Sequence, residues 1–130
     1  MILLDSDCII DFLRAKEKAV EIISKNKDNI TTTEINKFEV FLGAYLKKNN
    51  AENELKNTEW FFNNLSVLPF DAGCGQISAK VLANLMLVGD QINQNDCLIA
   101  SVMIKNGIDS IISNNRKDFS RIKGINVISY

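Results

Sequence analysis

Histidine is missing altogether from this 130-residue chain. Its absence removes the usual acid–base residue at neutral pH, the Ser-His-Asp mechanisms and a leading zinc ligand. Cysteine is scarce. Cys8, Cys74 and Cys97 are odd in number, far apart and set in apolar surroundings, with no CxxC pair. They read as buried free thiols rather than as a metal or disulfide framework. One proline and six glycines leave no stretch that could serve as a flexible linker, and there is no internal repeat or low-complexity segment. A single domain over residues 1–130 is expected. No apolar run approaches the roughly 20 residues that span a bilayer, and Met1 leads into an apolar segment without a basic leader. A cytoplasmic protein with no membrane contact is expected. Fifteen basic against sixteen acidic residues give a net charge of −1, so any grip on nucleic acid must come from local basic clusters rather than bulk charge.

What the chain does have is carboxylates in apolar settings. Ile2, Leu3 and Leu4 form a run too short for a helix and suited to a strand buried on both faces, and the run ends at Asp5. An apolar pattern at helical spacing resumes from Cys8 to Leu13. A carboxylate at the C-terminal end of a buried strand, beside a helix N-terminus, stands where open α/β sheets place their ligands. Asp5 or Ser6 also suits a plain helix cap. Convergence with other acids is what separates the two readings.

A second helix is predicted over Lys16–Lys25, with Ala19, Val20, Ile22 and Ile23 inward. Ile30 to Thr32 suits a short strand and Thr33 a helix cap. The helix from about Glu34 to Lys48 carries a predicted inward stripe of Ile35, Phe38, Leu42, Tyr45 and Leu46, and Glu39 falls inside it. A carboxylate there costs several kcal/mol unless compensated. Glu39 is therefore either a ligand or a stripe-edge residue reaching water or a lysine. Ala51–Leu65 reads as another helix. Its Trp60, Phe61 and Phe62 suit a core or a dimer surface, since no basic residues interleave them as in a stacking platform.

A strand is expected over Ser66–Phe70 and a helix over Asp71–Leu87, closed by Gly89. Asp96 opens the next helix on the same face as Ile99, Ala100 and Met103, and again a cap would explain it. Ile108–Ser113 and Val127–Tyr130 are the remaining strands, separated by a polar loop at Asn114–Asp118 that turns into a short helix. The alternation predicts an α/β fold with a parallel or mostly parallel sheet covered on both faces. Right-handed crossovers would bring Asp5 and the Ser113–Asp118 loop to one edge.

If Asp5, Glu39 and Asp96 meet, three carboxylates share a pocket with no cation of the chain's own. Two like charges about 5 Å apart repel by roughly 3 kcal/mol at an effective dielectric near 20. Protons or a divalent ion must then occupy the cluster. Hard oxygen donors without imidazole or thiolate suit Mg²⁺ or Mn²⁺, ions that activate water and stabilise phosphoryl charge.

Four segments in order resemble the PIN-domain ribonucleases, the VapC toxins in particular. They are Leu4-Asp5-Ser6-Asp7 with the following Ile9 to Leu13; Phe38-Glu39 with Gly43-Ala44; Asp96-Cys97-Leu98-Ile99-Ala100 preceded by Gly89 and Ile92; and Ile112-Ser113-Asn114-Asn115-Arg116-Lys117-Asp118-Phe119. The resemblance implies a three-layer α/β/α sandwich and an endoribonuclease that holds one or two Mg²⁺ or Mn²⁺ ions. By position, Asp5, Glu39 and Asp96 would hold metal and orient the attacking water, with Asp118 or Asn115 in the fourth place. Asp7 and Ser113 stand where the family usually carries asparagine and threonine and would support the site. Arg116, Lys117, Arg121 and Lys123 would contact the RNA backbone, or else form a solvated face. The implied partners are an RNA substrate, tRNA among the candidates, a cognate antitoxin reaching the carboxylates with a basic side chain, and a second copy of the chain. Two other readings stay open. Asp5-Ser6-Asp7 also resembles the Asp-x-Asp of haloacid-dehalogenase-type phosphatases, with Asp5 as nucleophile, and a PIN-like domain can bind RNA or protein without cutting.

Overall fold

The computed structural model describes residues 1–130. In chain order the elements are β1 (Ile2–Leu4), α1 (Ser6–Leu13), α2 (Glu17–Asn26), β2 (Ile30–Thr33), α3 (Glu34–Tyr45), α4 (Ala51–Asn63), β3 (Val67–Leu68), α5 (Cys74–Leu87), α6 (Gln94–Lys105), β4 (Ser110–Ile112), α7 (Arg116–Phe119) and β5 (Asn126–Ile128). All four strand pairings are parallel, in the order β3-β2-β1-β4-β5. Leu3 sits opposite Thr31 on one side and Ile111 on the other.

The two-residue period of a strand creates the layers. Leu3 and Ile111 share a core with Leu85, Ile99, Met103 and Phe119 under α5 and α6. Leu4 and Ile112, one residue on, share the opposite core with Cys8, Ile9, Val40, Phe61 and Phe62 under α1, α3 and α4. A strand buried on both faces needs an unbroken apolar run, as in β1 and β4. The strand β2 is different, because Thr31, Thr32 and Thr33 are all buried. Their hydroxyls are spent locally. Thr31 Oγ1 donates to the Ser66 carbonyl at 2.9 Å and Thr32 Oγ1 to the Leu4 carbonyl at 2.9 Å, which removes the cost of burying them. All three cysteines are buried and free.

The sequence pattern misassigns the inward face of α3. Asn36, Val40 and Ala44 are buried, whereas Phe38, Leu42, Tyr45 and Leu46 are between 46% and 71% exposed. The helix has two apolar faces: the line of Asn36, Val40 and Ala44 is buried against the core, and beside it Phe41 stacks on Phe62 of α4 with ring centroids 5.6 Å apart. Counting apolar bulk selects the wrong one. The aromatic triplet of α4 divides: Phe61 and Phe62 are buried with ring centroids 5.4 Å apart, while Trp60 stays exposed. Strand β3 is shorter than expected and ends before Pro69, which lacks the N–H that a ladder requires. α5 starts at Cys74 rather than Asp71, because Gly73 at φ 94° interrupts the approach. β5 runs from Asn126 to Ile128, earlier than the predicted Val127–Tyr130.

Phe119 is fully buried and anchors the one-turn α7 to the sheet. Phe119→Ala is expected to cost about 3–5 kcal/mol, measurable as a lowered urea midpoint; a change below about 1 kcal/mol would contradict this packing.

From β1 the chain builds outward to β2 and β3, then returns to the other side of β1 for β4 and β5. The reversal lies between β1 and β4, so a crevice opens where their C-terminal ends diverge. Asp5 follows β1 directly and Ser113 follows β4 directly.

Candidate active site

Asp5 does two things at once. Its Oδ1 accepts from Ser6 N at 2.8 Å as the N-cap of α1, and its Oδ2 accepts from Ser113 Oγ at 2.6 Å across the crevice. Glu39 approaches from α3: its Oε1 accepts from Ser6 Oγ at 2.8 Å and its Oε2 from Asn95 Nδ2 at 3.4 Å. Asp96 does not cap α6. Asn93 takes that position, its Oδ1 accepting from Asn95 N at 2.8 Å, and this leaves the buried Asp96 carboxylate free to face the crevice. There Asp96 Oδ2 accepts from Asn115 Nδ2 at 3.0 Å, and the same amide lies 3.5 Å from Asp118 Oδ2. Asn115 and Asp118 thus stand together beside Asp96, and neither replaces the other.

The supporting residues bind backbone. Asp7 Oδ1 accepts from Cys8 N at 2.6 Å and its Oδ2 from Asn114 N at 2.8 Å, stapling the loop after β4 to the start of α1. In the phosphatase reading the second aspartate of Asp-x-Asp would serve as acid–base, and a carboxylate committed to two amides is poorly placed for that. Ser113 Oγ accepts from Asn115 N at 2.9 Å while it donates to Asp5, so one hydroxyl links the loop to the first carboxylate. Arg116 and Lys117 are exposed in the short helix that follows the loop after β4, whereas the exposed Lys123 lies in the turn leading into the start of β5, at the other end of the parallel sheet. Arg121 is engaged: its Nη1 donates to the Gln91 carbonyl at 3.0 Å and tethers the segment before α6.

Sequence reasoning passed over Asn36, which is fully buried. Its signal was present, since an amide three residues after a capping Thr33 and three before Glu39 shares their side of the helix. Asn95, which donates to Glu39, was passed over as well.

The electrostatics are those of acids without counter-charge. Each of the four ion pairs, Lys16–Asp11, Lys25–Glu21, Lys47–Glu54 and Lys105–Asp71, lies outside the cluster. Burial pushes Asp5 up to about 7, helped by the charges of Asp7 and Glu39, while the Ser113 and Ser6 hydrogen bonds pull the other way. Burial also raises Asp96, reinforced by a hydrogen bond with Asp118 and by the charges of Asp5 and Asp118. Asp7 is raised by burial too. As arranged, no three acidic side chains converge on one point at ligand distance. Hydroxyl and amide donors stand between them instead: Ser6 reaches Glu39 while Asn115 spans Asp96 and Asp118. The donor set is nevertheless all oxygen and anionic, with raised proton affinity and no basic side chain among its hydrogen-bond partners. That chemistry fits a hard divalent cation.

An all-parallel α/β/α sandwich with carboxylates gathered at its topological switch point is the class of protein that fold and site define. Residues 2–125 match the family model described as PIN domain, and the chain belongs to that family, which is a nuclease family. Nucleases of this kind are generally dependent on a divalent metal. A "tRNA(fMet)-specific endonuclease VapC" from Shigella flexneri is 26% identical over 124 residues, covering 95% of this chain and 92% of that protein. Among solved structures, a DNA-bound VapBC from Salmonella typhimurium aligns at 26% identity with a TM-score of 0.87, covering 99% of this chain and 98% of that one. A Rickettsia felis VapBC2 bound to a promoter DNA fragment aligns at 23% identity with a TM-score of 0.89, covering 100% and 99%.

Proposed function

We propose that this chain is a divalent-metal-dependent endoribonuclease and the toxin half of a toxin–antitoxin pair, acting in the cytoplasm on RNA. The observation that carries the reading is that Asp5, Glu39, Asp96 and Asp118 line one crevice at the end of β1, linked through hydroxyl and amide donors and with no ion pair to any of them. Asp5, Glu39 and Asp96 would hold Mg²⁺ or Mn²⁺, and the bound ion would supply the charge that activates water and stabilises the phosphoryl group. Asp118 and Asn115 complete the wall of the pocket and help to orient the water. Ser113 and Asp7 keep the loop after β4 seated against α1. Arg116 and Lys117, free at the rim, hold the RNA backbone by its phosphates; Arg121 contributes by fixing the approach to α6.

The relatives named as tRNA(fMet)-specific make tRNA the first substrate class to offer. The cognate antitoxin places a basic side chain among the carboxylates, where it replaces the missing counter-charge. A second copy of the chain covers the exposed apolar residues of α3, which are otherwise left in water.

The test is cleavage of a total RNA pool containing initiator tRNA by the purified protein with Mg²⁺, with Mn²⁺ and with chelator. Discrete cuts that need the metal and disappear with chelator are expected. Cutting that ignores chelator, or intact RNA under all conditions, would overturn the assignment.

A further inference from the structure

The carboxylates are held by a chain of donors that begins at Asn36. Thr33 Oγ1 donates to Asn36 Oδ1 at 2.6 Å, and Asn36 N donates back to Thr33 Oγ1 at 3.1 Å. This fixes the amide, because its oxygen faces a hydroxyl hydrogen and its nitrogen faces the site. Asn36 Nδ2 has two hydrogens and uses both: one goes to Asp5 Oδ1 at 3.1 Å, the other to Ser6 Oγ at 3.0 Å. Ser6 Oγ, having accepted from Asn36, sends its own hydrogen to Glu39 Oε1 at 2.8 Å. Donation therefore runs one way, from the cap of α3 to two carboxylates on different elements. Turning the amide over would set its oxygen against a carboxylate oxygen, so the direction is not interchangeable.

We propose that Asn36 is a positioning residue, which sets the separation and orientation of Asp5 directly and of Glu39 through Ser6. The inference rests on the nuclease reading, in which those two carboxylates share a metal. Asn36 is buried at 0% accessibility, so it acts only through the groups it touches, Asp5 and Ser6 on the side of the site. Groups that orient ligands in this way commonly govern affinity by 10–100-fold.

The experiment compares wild type with Asn36→Leu, Asn36→Thr and Ser6→Ala. Mn²⁺ binding to the RNA-free protein is measured by titration, kcat and KM on tRNA are determined separately, and thermal unfolding is followed with chelator. For Asn36→Leu, Mn²⁺ is expected to bind at least about tenfold more weakly, and kcat to fall at least about tenfold with KM little changed. Asn36→Thr keeps a hydroxyl donor and should recover part of both losses. Ser6→Ala removes only the Glu39 arm and should show a smaller loss of Mn²⁺ affinity than Asn36→Leu. If Asn36→Leu fails to fold, Asn36→Thr and Ser6→Ala are each compared with wild type, and both are expected to bind Mn²⁺ more weakly; wild-type affinity in both would overturn the proposal. Variants that unfold at lower temperature but bind Mn²⁺ and turn over as wild type would overturn the positioning role and make Asn36 a purely structural residue. Failure of the wild type itself to bind Mn²⁺ or cut RNA would overturn the nuclease reading and the inference with it.

Discussion

Asp96→Asn is expected to cut RNA about a thousandfold more slowly than wild type and, at pH 8 without metal, to unfold at a higher temperature. On the proposed function, the rate loss follows from removing an anionic oxygen ligand from a metal centre whose stabilisation of transition-state charge would amount to several kcal/mol, at about 1.4 kcal/mol for each factor of ten. The gain in stability follows from the same removal. Asp96 is buried with its ionised form disfavoured by Asp5 and Asp118, and an asparagine of equal shape carries no charge to bury. Its side-chain oxygen can still accept from Asn115, as the carboxylate does at 3.0 Å. Activity and stability should thus move in opposite directions. Cleavage rates and melting temperatures of the two proteins, prepared alike, give the answer. A variant that is less stable than wild type would mean that Asp96 is held by favourable contacts rather than tolerated for function.

Without metal, wild type should be more stable at pH 5 than at pH 8. Asp5 ionises near 7 in the folded protein against about 3.8 when unfolded. Between those values the folded chain keeps a proton that the unfolded chain has shed, so stability falls as pH rises through the window and levels off above it. About two units of that shift fall between pH 5 and pH 8, which corresponds to about 2.7 kcal/mol, and the raised Asp96 acts in the same direction. Asp11 and Asp71 are lowered by Lys16 and Lys105, so their contribution is lost only as pH falls below the ordinary carboxylate range, outside this window. Adding Mn²⁺ at pH 8 should restore about 2.7 kcal/mol when the ion is at 100 times its dissociation constant. Urea midpoints at the two pH values, each with chelator and with Mn²⁺, measure both effects. A midpoint that rises with pH under chelator would show that the acids are not under strain.

The parts of the fold that depend on period were legible. Leu3–Leu4 and Ile111–Ile112 each set adjacent residues into opposite cores, and a run without polar breaks can do little else. Asp5 was legible because a carboxylate that ends such a run has no apolar explanation. Periodicity points to Glu39 for a reason that is only partly right. The stripe that includes it in the sequence is exposed at Phe38 and Leu42, and Glu39 lies at the boundary between that face and the buried line of Asn36, Val40 and Ala44. Periodicity reports that a helix has an apolar face, but not which face a neighbour will choose, since close approach favours small side chains over large ones. Asn36 and Asn95 were harder because an amide is neutral and common in loops and caps. Its role exists only in the partners it meets, and those are far away in sequence, Asp5 for Asn36 and Glu39 for Asn95.

The bond from Ser113 to Asp5 spans 108 residues. β1 is made first, yet its neighbour β4 and the carboxylate of Asp118 come from the last quarter of the chain. Parallel strands so distant in sequence pair late. During translation, the growing polypeptide carries Asp5 and Glu39 without the wall that completes their pocket. The pocket is therefore assembled only after β4 and the loop that follows it have emerged, more than a hundred residues after Asp5.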